Sequence, residues 1–377
     1  MNGWIAMTAG GAALCVLLVT YPYLIYPALL RMLPTKPIRR VGPIRARMTL
    51  AFCAFNEAAV MPEKLANIQL LKSRYGDLEV LAFDDGSTDS TFEQLAAQPD
   101  LLTVVKSSGR NGKAHGMKLL AARATGDILV FTDANVMLKD DALENLVTYF
   151  SDPAVGGVCG SLRYIGAEES AAAAVGSLYW RLEEHLKNEE SRTGNVMGAD
   201  GSIFAIRREL YPAFPDTVLD DLTVSMATVF AGYRLIKAED VIAYERAVVL
   251  RQEEFARKVR IAARAFHTHL FLTPQLRRMG AVDKFKYISR KIVRWFGGLF
   301  LVVGAVLAGI AAALLSPSLL VAGAFVLASL VWIGMKTRSG PIASIVEIVI
   351  ALLATLLGVY KAIRGYTFTV WNPAKSR

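Results

Sequence analysis

The chain has 377 residues, of which 54% are hydrophobic and only 20% charged, and its mean hydropathy is +0.37. Soluble enzymes of this length carry about 25% charge, so the composition excludes a disordered or fibrous chain and points to membrane spans. The net charge of +9 favours anionic partners, while three scattered cysteines (Cys15, Cys53, Cys159) exclude a disulfide framework or a cysteine-built zinc site.

Residues 1–30 contain no Asp, Glu, Lys or Arg. That run is long enough for one span, at 5–28, and too long for the apolar core of a signal peptide. Arg31, Lys36, Arg39, Arg40, Arg45 and Arg47 follow it without an acid between them. The excess of cations predicts that this side is cytoplasmic and that the N-terminus is outside.

From residue 46 short apolar runs alternate with helical stretches. Strands are predicted at 48–55, 78–83, 102–106 and 127–132, and helices at 62–72, 88–97, 113–124 and 222–231. Continuous apolar strands separated by helices predict an α/β domain with a parallel sheet covered on both faces. Ligands in such folds collect at the carboxyl ends of the strands. Those ends carry Asn56-Glu57, Asp84-Asp85 and Asp133-Ala134-Asn135. The chain shows no internal repeat.

Further charge-free stretches predict a helix pair at 295–315 and 319–335, broken by Ser316-Pro317-Ser318, and a fourth span at 341–360 that holds Glu347. Arg277, Arg278, Lys284, Lys286, Arg290, Lys291 and Arg294 precede the pair and agree with a cytoplasmic middle segment. Four spans put the C-terminus outside, against Lys361, Arg364, Lys375 and Arg377 in the tail. Either the first signal overrides these charges or one C-terminal segment does not fully cross. The resulting division is a span at 1–30, a cytosolic domain at 31–265, amphipathic interfacial helices at 266–294, about three spans at 295–362 and a tail at 363–377.

Four motifs carry chemistry. In Asp84-Asp85-Gly-Ser-Thr-Asp89 two adjacent carboxylates need a ligand, a metal or cations to offset their repulsion. Asp133-Ala-Asn135 offers oxygen ligands for a divalent ion. Arg110-Asn-Gly-Lys113 opens a helix whose free N–H groups and lysine suit a phosphate. Asp220-Asp221 can supply a general base for an acceptor hydroxyl. His267-Thr-His269 lacks an acidic or cysteine partner at ligand spacing and is read as part of an interfacial segment.

Taken together, these motifs resemble the family 2 glycosyltransferases, in particular the membrane-embedded synthases of cellulose, chitin, hyaluronan and poly-N-acetylglucosamine. The segments FNEAAVMPEKLANI, DDGSTDST, RNGKAHGM, GDILVFTDANVML, GADGSIFAIRREL and LDDLTVSMATVFAGYRL carry the resemblance in order. It implies a GT-A (Rossmann-like) domain and a nucleotide-sugar donor, most often a UDP-sugar. Asn56, Glu57, Asp84 and Asp85 would hold the uracil and ribose, and Lys113 the diphosphate. Asp133 and Asn135 would match the D-x-D motif and bind Mg²⁺ or Mn²⁺. Asp221, beside Asp220, would be the general base, and Gly198, Asp200 and Gly201 would line the acceptor site. The chain departs from the pattern at D-x-N and at Q-x-x-R-W, which reads Arg257-Lys-Val-Arg260-Ile261 here. Loss of that tryptophan argues against long processive polymerisation, while Arg257 and Arg260 can still neutralise a departing diphosphate.

The expected protein is a multi-pass plasma- or inner-membrane glycosyltransferase that works from the cytoplasm on a growing polysaccharide or lipid-linked glycan. A variant reading adds one sugar to a polyprenyl-phosphate or lipid-linked acceptor. Membrane lipids explain the basic flanks better than nucleic acid does, and polysaccharide export partners fit the reading. A catalytically dead scaffold is disfavoured by the intact acids.

Overall fold

The structure is a computed structural model that describes residues 2–40, 42, 44–166, 171–248, 250–337 and 340–370. Lys375 and Arg377 of the basic tail lie outside the described residues.

Helix α1 (Asn2–Arg31) is apolar on all sides and carries Pro22 and Pro27 within it. After a linker the chain builds β1 (Met48–Ala54), α2 (Met61–Arg74), β2 (Leu78–Asp84), α3 (Thr91–Ala96), β3 (Thr103–Lys106), α4 (Lys113–Arg123) and β4 (Ile128–Asp133). β1 is buried at every position, as a central strand covered on both faces must be. Then follow β5 (Met137–Leu138), α5 (Ala142–Tyr149), β6 (Val155–Ile165), α6 (Ala171–Arg192), β7 (Ile203–Arg207), α7 (Asp220–Phe230) and β8 (Arg234–Arg246).

The eight strands form one sheet in the order β3-β2-β1-β4-β7-β6-β8-β5. The first half is parallel, as the sequence predicts. The second half is not: β7 runs antiparallel to both β4 and β6, and β5 antiparallel to β8, while β6 and β8 are parallel. The reason is where the chain re-enters. Thr132 near the end of β4 pairs with Ile203 at the start of β7. A strand that enters at its neighbour's carboxyl end can only run back along it. This geometry sets residues 198–202 directly above β4.

The C-terminal part comprises α8 (Arg251–Leu276), α9 (Ala281–Tyr287), a π-turn (Ile288–Ile292), α10 (Val293–Trp295), α11 (Gly297–Leu315), α12 (Pro317–Lys336) and α13 (Pro341–Ile363). α8 runs unbroken through residue 265. Among the described residues four helices, α1, α11, α12 and α13, are long and apolar enough to cross a membrane. Small residues bring α1 and α11 together, since a Cβ on Gly304 would lie 2.8 Å from Cys15 Cβ.

α13 differs from the others. Glu347 near its start pairs with Arg251, which also donates to the Met335 carbonyl at 3.2 Å. A Cβ on Gly358 would lie 2.5 Å from the Val259 carbonyl oxygen of α8. Beyond α13, Thr367 Oγ1 donates to the Thr217 carbonyl at 3.3 Å, and Phe368 packs against the core of the sheet domain.

The cations before α11 also take a different role from that expected of membrane-flanking charge. Arg290 and Lys286 are buried, and Arg290 pairs with Glu183 and, at 2.6 Å, with Glu190. Arg294 pairs with Glu183 at 2.6 Å. The acids of α6 hold the two arginines in the domain interior, and Lys286 donates to the Glu190 carbonyl at 2.9 Å, because a buried cation without a partner is costly.

Candidate active site

The site forms where β1, β2 and β4 end. Asn56 leaves β1 with a left-handed φ of 52°, a conformation asparagine tolerates. Its Oδ1 accepts from Thr88 N at 2.8 Å, and its own N–H donates to Ser87 Oγ at 3.0 Å. Glu57 is buried, and its N–H donates to Thr91 Oγ1 at 2.9 Å. Asp89 receives Thr91 N at 3.0 Å and Ala58 N at 3.2 Å. The first two strand ends are thus stitched into one surface.

Asp84 and Asp85 are both fully buried. Asp85 accepts from Asn111 N at 2.7 Å, Gly112 N at 3.0 Å and Arg110 Nε at 3.2 Å. Two N–H groups that the sequence offers to a phosphate are therefore taken by Asp85, which needs them because a buried carboxylate must be compensated. Asp84 Oδ2 accepts from Ser87 N at 3.2 Å, and its Oδ1 has no partner among the described residues. Arg110 also lies 3.3 Å over the Phe55 ring.

The third group centres on Lys113. Its Nζ is 2.5 Å from Asp133 Oδ1 and 3.8 Å from Asp220 Oδ2. A Cβ on Gly201 would lie 2.7 Å from Lys113 Nζ, 3.4 Å from Asp133 Oδ2 and 3.5 Å from Asp221 Oδ2. β4, α4, α7 and the 198–202 segment thus aim one cation and two carboxylates at the same small space. Burial alone would lower the pKa of Lys113, but Asp133, Asp220 and Asp221 around it hold it charged. Burial, with Asp220 beside it, pushes the Asp221 carboxyl up to about 6. That suits a general base working near neutral pH.

Around this centre the other expected residues separate into two groups. Asp200 pairs with Lys187 and accepts from Ser202. Burial would raise its carboxyl, but Lys187 holds it below the usual range. Gly198 has a φ of +96°, and a Cβ there would lie 2.5 Å from Leu222 of α7. Arg257 contacts Glu254 at 3.4 Å and Tyr164 at 3.5 Å, so α8 holds it beside β6. Arg260 is on the same helix. Ile261, where the processive pattern has tryptophan, is 41% exposed and offers no sugar platform.

Asn135 Nδ2 donates to Glu245 Oε1 at 3.0 Å, which fixes the amide and turns its Oδ1 away from that acid. Oxygen donors at Asp133 and Asn135 fit a hard divalent ion. His267 and His269 have separate neighbours, Thr217 at 3.3 Å and Tyr287 at 3.2 Å.

Sequence reasoning misses Glu245, Lys64 and the C-terminal segment. Lys64 of α2 is fully buried and donates to the carbonyls of Asp133 at 3.0 Å and Val136 at 2.6 Å, so it clamps the D-x-N turn from below. Burial pushes its pKa down to about 7. Thr369 passes so close to Gly112, whose φ is +91°, that any side chain there would strike its carbonyl.

The parallel half-sheet, the acids at its strand ends and the re-entrant 198–202 segment define a GT-A glycosyltransferase fold. Residues 49–213 match the model of glycosyl transferase family 2. The chain therefore carries a family 2 glycosyltransferase domain, and the relatives it resembles are sugar-transferring enzymes. It is 26% identical over 224 residues to an O-antigen chain rhamnosyltransferase of Salmonella typhimurium, covering 56% of this chain and 70% of that protein. It is 27% identical over 172 residues to an N-acetylglucosaminyltransferase of Azorhizobium caulinodans, spanning 44% of this chain and 43% of the relative. Among solved structures, the mannosyltransferase of Pyrobaculum calidifontis, in complex with GDP-Man and Mn²⁺, superposes with a TM-score of 0.74 at 26% identity. That match covers 94% of this chain and 99% of the other.

Proposed function

We propose that this chain is a membrane-bound, inverting glycosyltransferase that moves one sugar from a nucleotide-diphosphate sugar to a hydroxyl of a lipid-linked glycan. The observation that carries the reading is the convergence of Lys113, Asp133 and Asp221 on the space beside Gly201. Asp221 takes the proton of the acceptor hydroxyl. Asn56, Glu57, Asp84 and Asp85 shape the nucleotide side, and Lys113 with Arg257 and Arg260 balances the negative charge of the leaving diphosphate. Asp133 and Asn135 would hold Mg²⁺ or Mn²⁺, which when bound neutralises the donor's phosphates. A mannosyltransferase that binds GDP-Man and Mn²⁺ supports both the metal and a GDP-sugar beside the UDP-sugar of the family resemblance. Exposed Ile261 favours addition of a single sugar over long polymerisation.

For the membrane, α1, α11 and α12 cross, and α13 lies along the cytoplasmic face with its start on α8 and the segment after it on the catalytic domain. The Arg251–Glu347 pair and the Thr367–Thr217 bond support this arrangement. It keeps Lys361 and Arg364 on the same side as the catalytic domain, in accord with the positive-inside rule. The interfacial part then begins with α8 at Arg251.

The test is a donor screen on the detergent-solubilised chain with UDP- and GDP-sugars, reading nucleotide release and the mass of the product. Release of nucleoside diphosphate with a single sugar added is the expected result. Inertness toward every nucleotide sugar, in protein that folds, would overturn the reading.

A further inference from the structure

Three cations of the π-turn and α10, Arg290, Lys291 and Arg294, meet two acids of α6, Glu183 and Glu190. Glu183 is taken by Arg290 and Arg294. Glu190 is taken by Arg290, by the Tyr26 hydroxyl at 2.6 Å and by the Met197 N–H at 2.9 Å. Lys291 is left without a hydrogen-bonded or ion-pair partner among the described residues. It is half-buried, and its Nζ stands 3.9 Å from where a Gly198 Cβ would be. Burial, with Arg290 close by, pulls the Lys291 pKa down to about 8. Glu183 and Glu190 act on Lys291 from a distance, but neither is at contact distance, and a desolvated cation so placed favours an anion that can come to it.

We infer that Lys291, beside Gly198, binds the phosphate group of the lipid-linked acceptor, at the junction of the catalytic domain and the helix that enters α11. The inference rests on the lipid-linked reading above. Gly201 lies three positions along the chain from Gly198, a span of at most about 11 Å. A phosphate held at Lys291 therefore leaves a sugar hydroxyl within reach of Asp221. The reverse orientation is disfavoured, because on the proposed function the donor's diphosphate already takes the cations at the reaction centre. Asp200 does not compete for Lys291, since Lys187 already holds it.

The experiment measures binding of farnesyl diphosphate to the detergent-solubilised full chain by calorimetry. Farnesol and phosphatidylglycerol serve as comparison ligands, and melting temperature checks each variant. Farnesyl diphosphate is expected to bind the wild type, and about tenfold more weakly to Lys291→Gln. Lys291→Arg should recover much of the loss, and Arg278→Gln, which removes an exposed cation of the same region, should bind like the wild type. Equal affinity of wild type and folded Lys291→Gln would overturn the site. Equal competition by phosphatidylglycerol would assign it to bulk lipid and overturn the acceptor role. Failure of the donor screen would strike the proposed function without moving this binding difference, so the two can be told apart.

Discussion

Two charged clusters lie on either side of the 198–202 segment, and they treat charge in opposite ways. Beneath it, Glu183 and Glu190 are matched by Arg290 and Arg294 at contact distance, and Tyr26 closes the remaining acceptor. Above it, Asp133, Asp220 and Asp221 share one cation, Lys113. The lower cluster holds Glu183 far below the usual carboxylate range, because burial, which would raise it, is outweighed by the two arginines. The upper one drives Asp221 up to about 6. Compensated charge fixes α6 to the segment that leads into the apolar α11. Uncompensated charge is what the proposed chemistry needs. On that proposal the contrast gives structure to one cluster and chemistry to the other.

Breaking the lower cluster should cost stability first. Arg290→Ala removes the cation that Glu183 and Glu190 share, leaving Glu183 with Arg294 and Glu190 without its ion pair, and is expected to destabilise the domain by about 3–5 kcal/mol, read as a fall in melting temperature in detergent. An unchanged melting temperature would show that the cluster is not structural. In the upper cluster, Asp221→Asn should lower transfer about 10²-fold or more while nucleotide binding persists. The same change should raise the melting temperature at neutral pH. A carboxyl whose folded pKa is raised contributes stability at low pH, and that contribution is lost as pH rises through about 6, so the charge at pH 7 opposes folding. Retained turnover, or a lower melting temperature, would contradict the contrast. A gentler probe is pH itself. In the wild type, kcat/KM for the acceptor should fall as pH drops through about 6, where Asp221 gains its proton and can no longer accept one. A rate that stays flat down to pH 5 would move the base elsewhere.

The upper cluster was far more legible in the sequence than the lower one. Strand ends advertise themselves, since apolar runs such as 48–54 stop abruptly at polar residues, and that break located Asn56, Asp84 and Asp133. Asp221 could be found because it starts a helix within a recognisable motif. The lower cluster could not be found this way. Glu183, Glu190 and Arg290 look like the polar face of surface helices, and nothing local says that α6 lies against the π-turn. Lys64 hides for the same reason, as a lysine on an amphipathic helix whose target carbonyls are about 70 residues away. The apolar pattern predicts four strands and does not place β7 (Ile203–Arg207), whose short apolar run gives no direction and whose partners β4 and β6 are distant in sequence. The apolar pattern of α13 records length and hydropathy, whereas its relation to the domain depends on Arg251 and Thr217, which are distant in sequence.

The smallest expected effect concerns Asn135, where sequence and geometry give opposite forecasts. By pattern, Asn135→Asp restores D-x-D and should tighten Mg²⁺ or Mn²⁺. In the structure the Asn135 amide donates to Glu245 at 3.0 Å. An aspartate there cannot donate, and it would face a second carboxylate that is itself buried. Like charges at this range disfavour ionisation of one partner, so the added carboxyl is not available as a ligand. Asn135→Asp alone should therefore bind Mn²⁺ no better than the wild type, or up to about fivefold more weakly. The double variant Asn135→Asp, Glu245→Gln replaces the repelling acid with an amide donor. It should bind Mn²⁺ more tightly than either parent, as read by calorimetry on the nucleotide-bound protein. Tighter binding by the single variant, with no further gain in the double, would show that Glu245 does not set the orientation of Asn135.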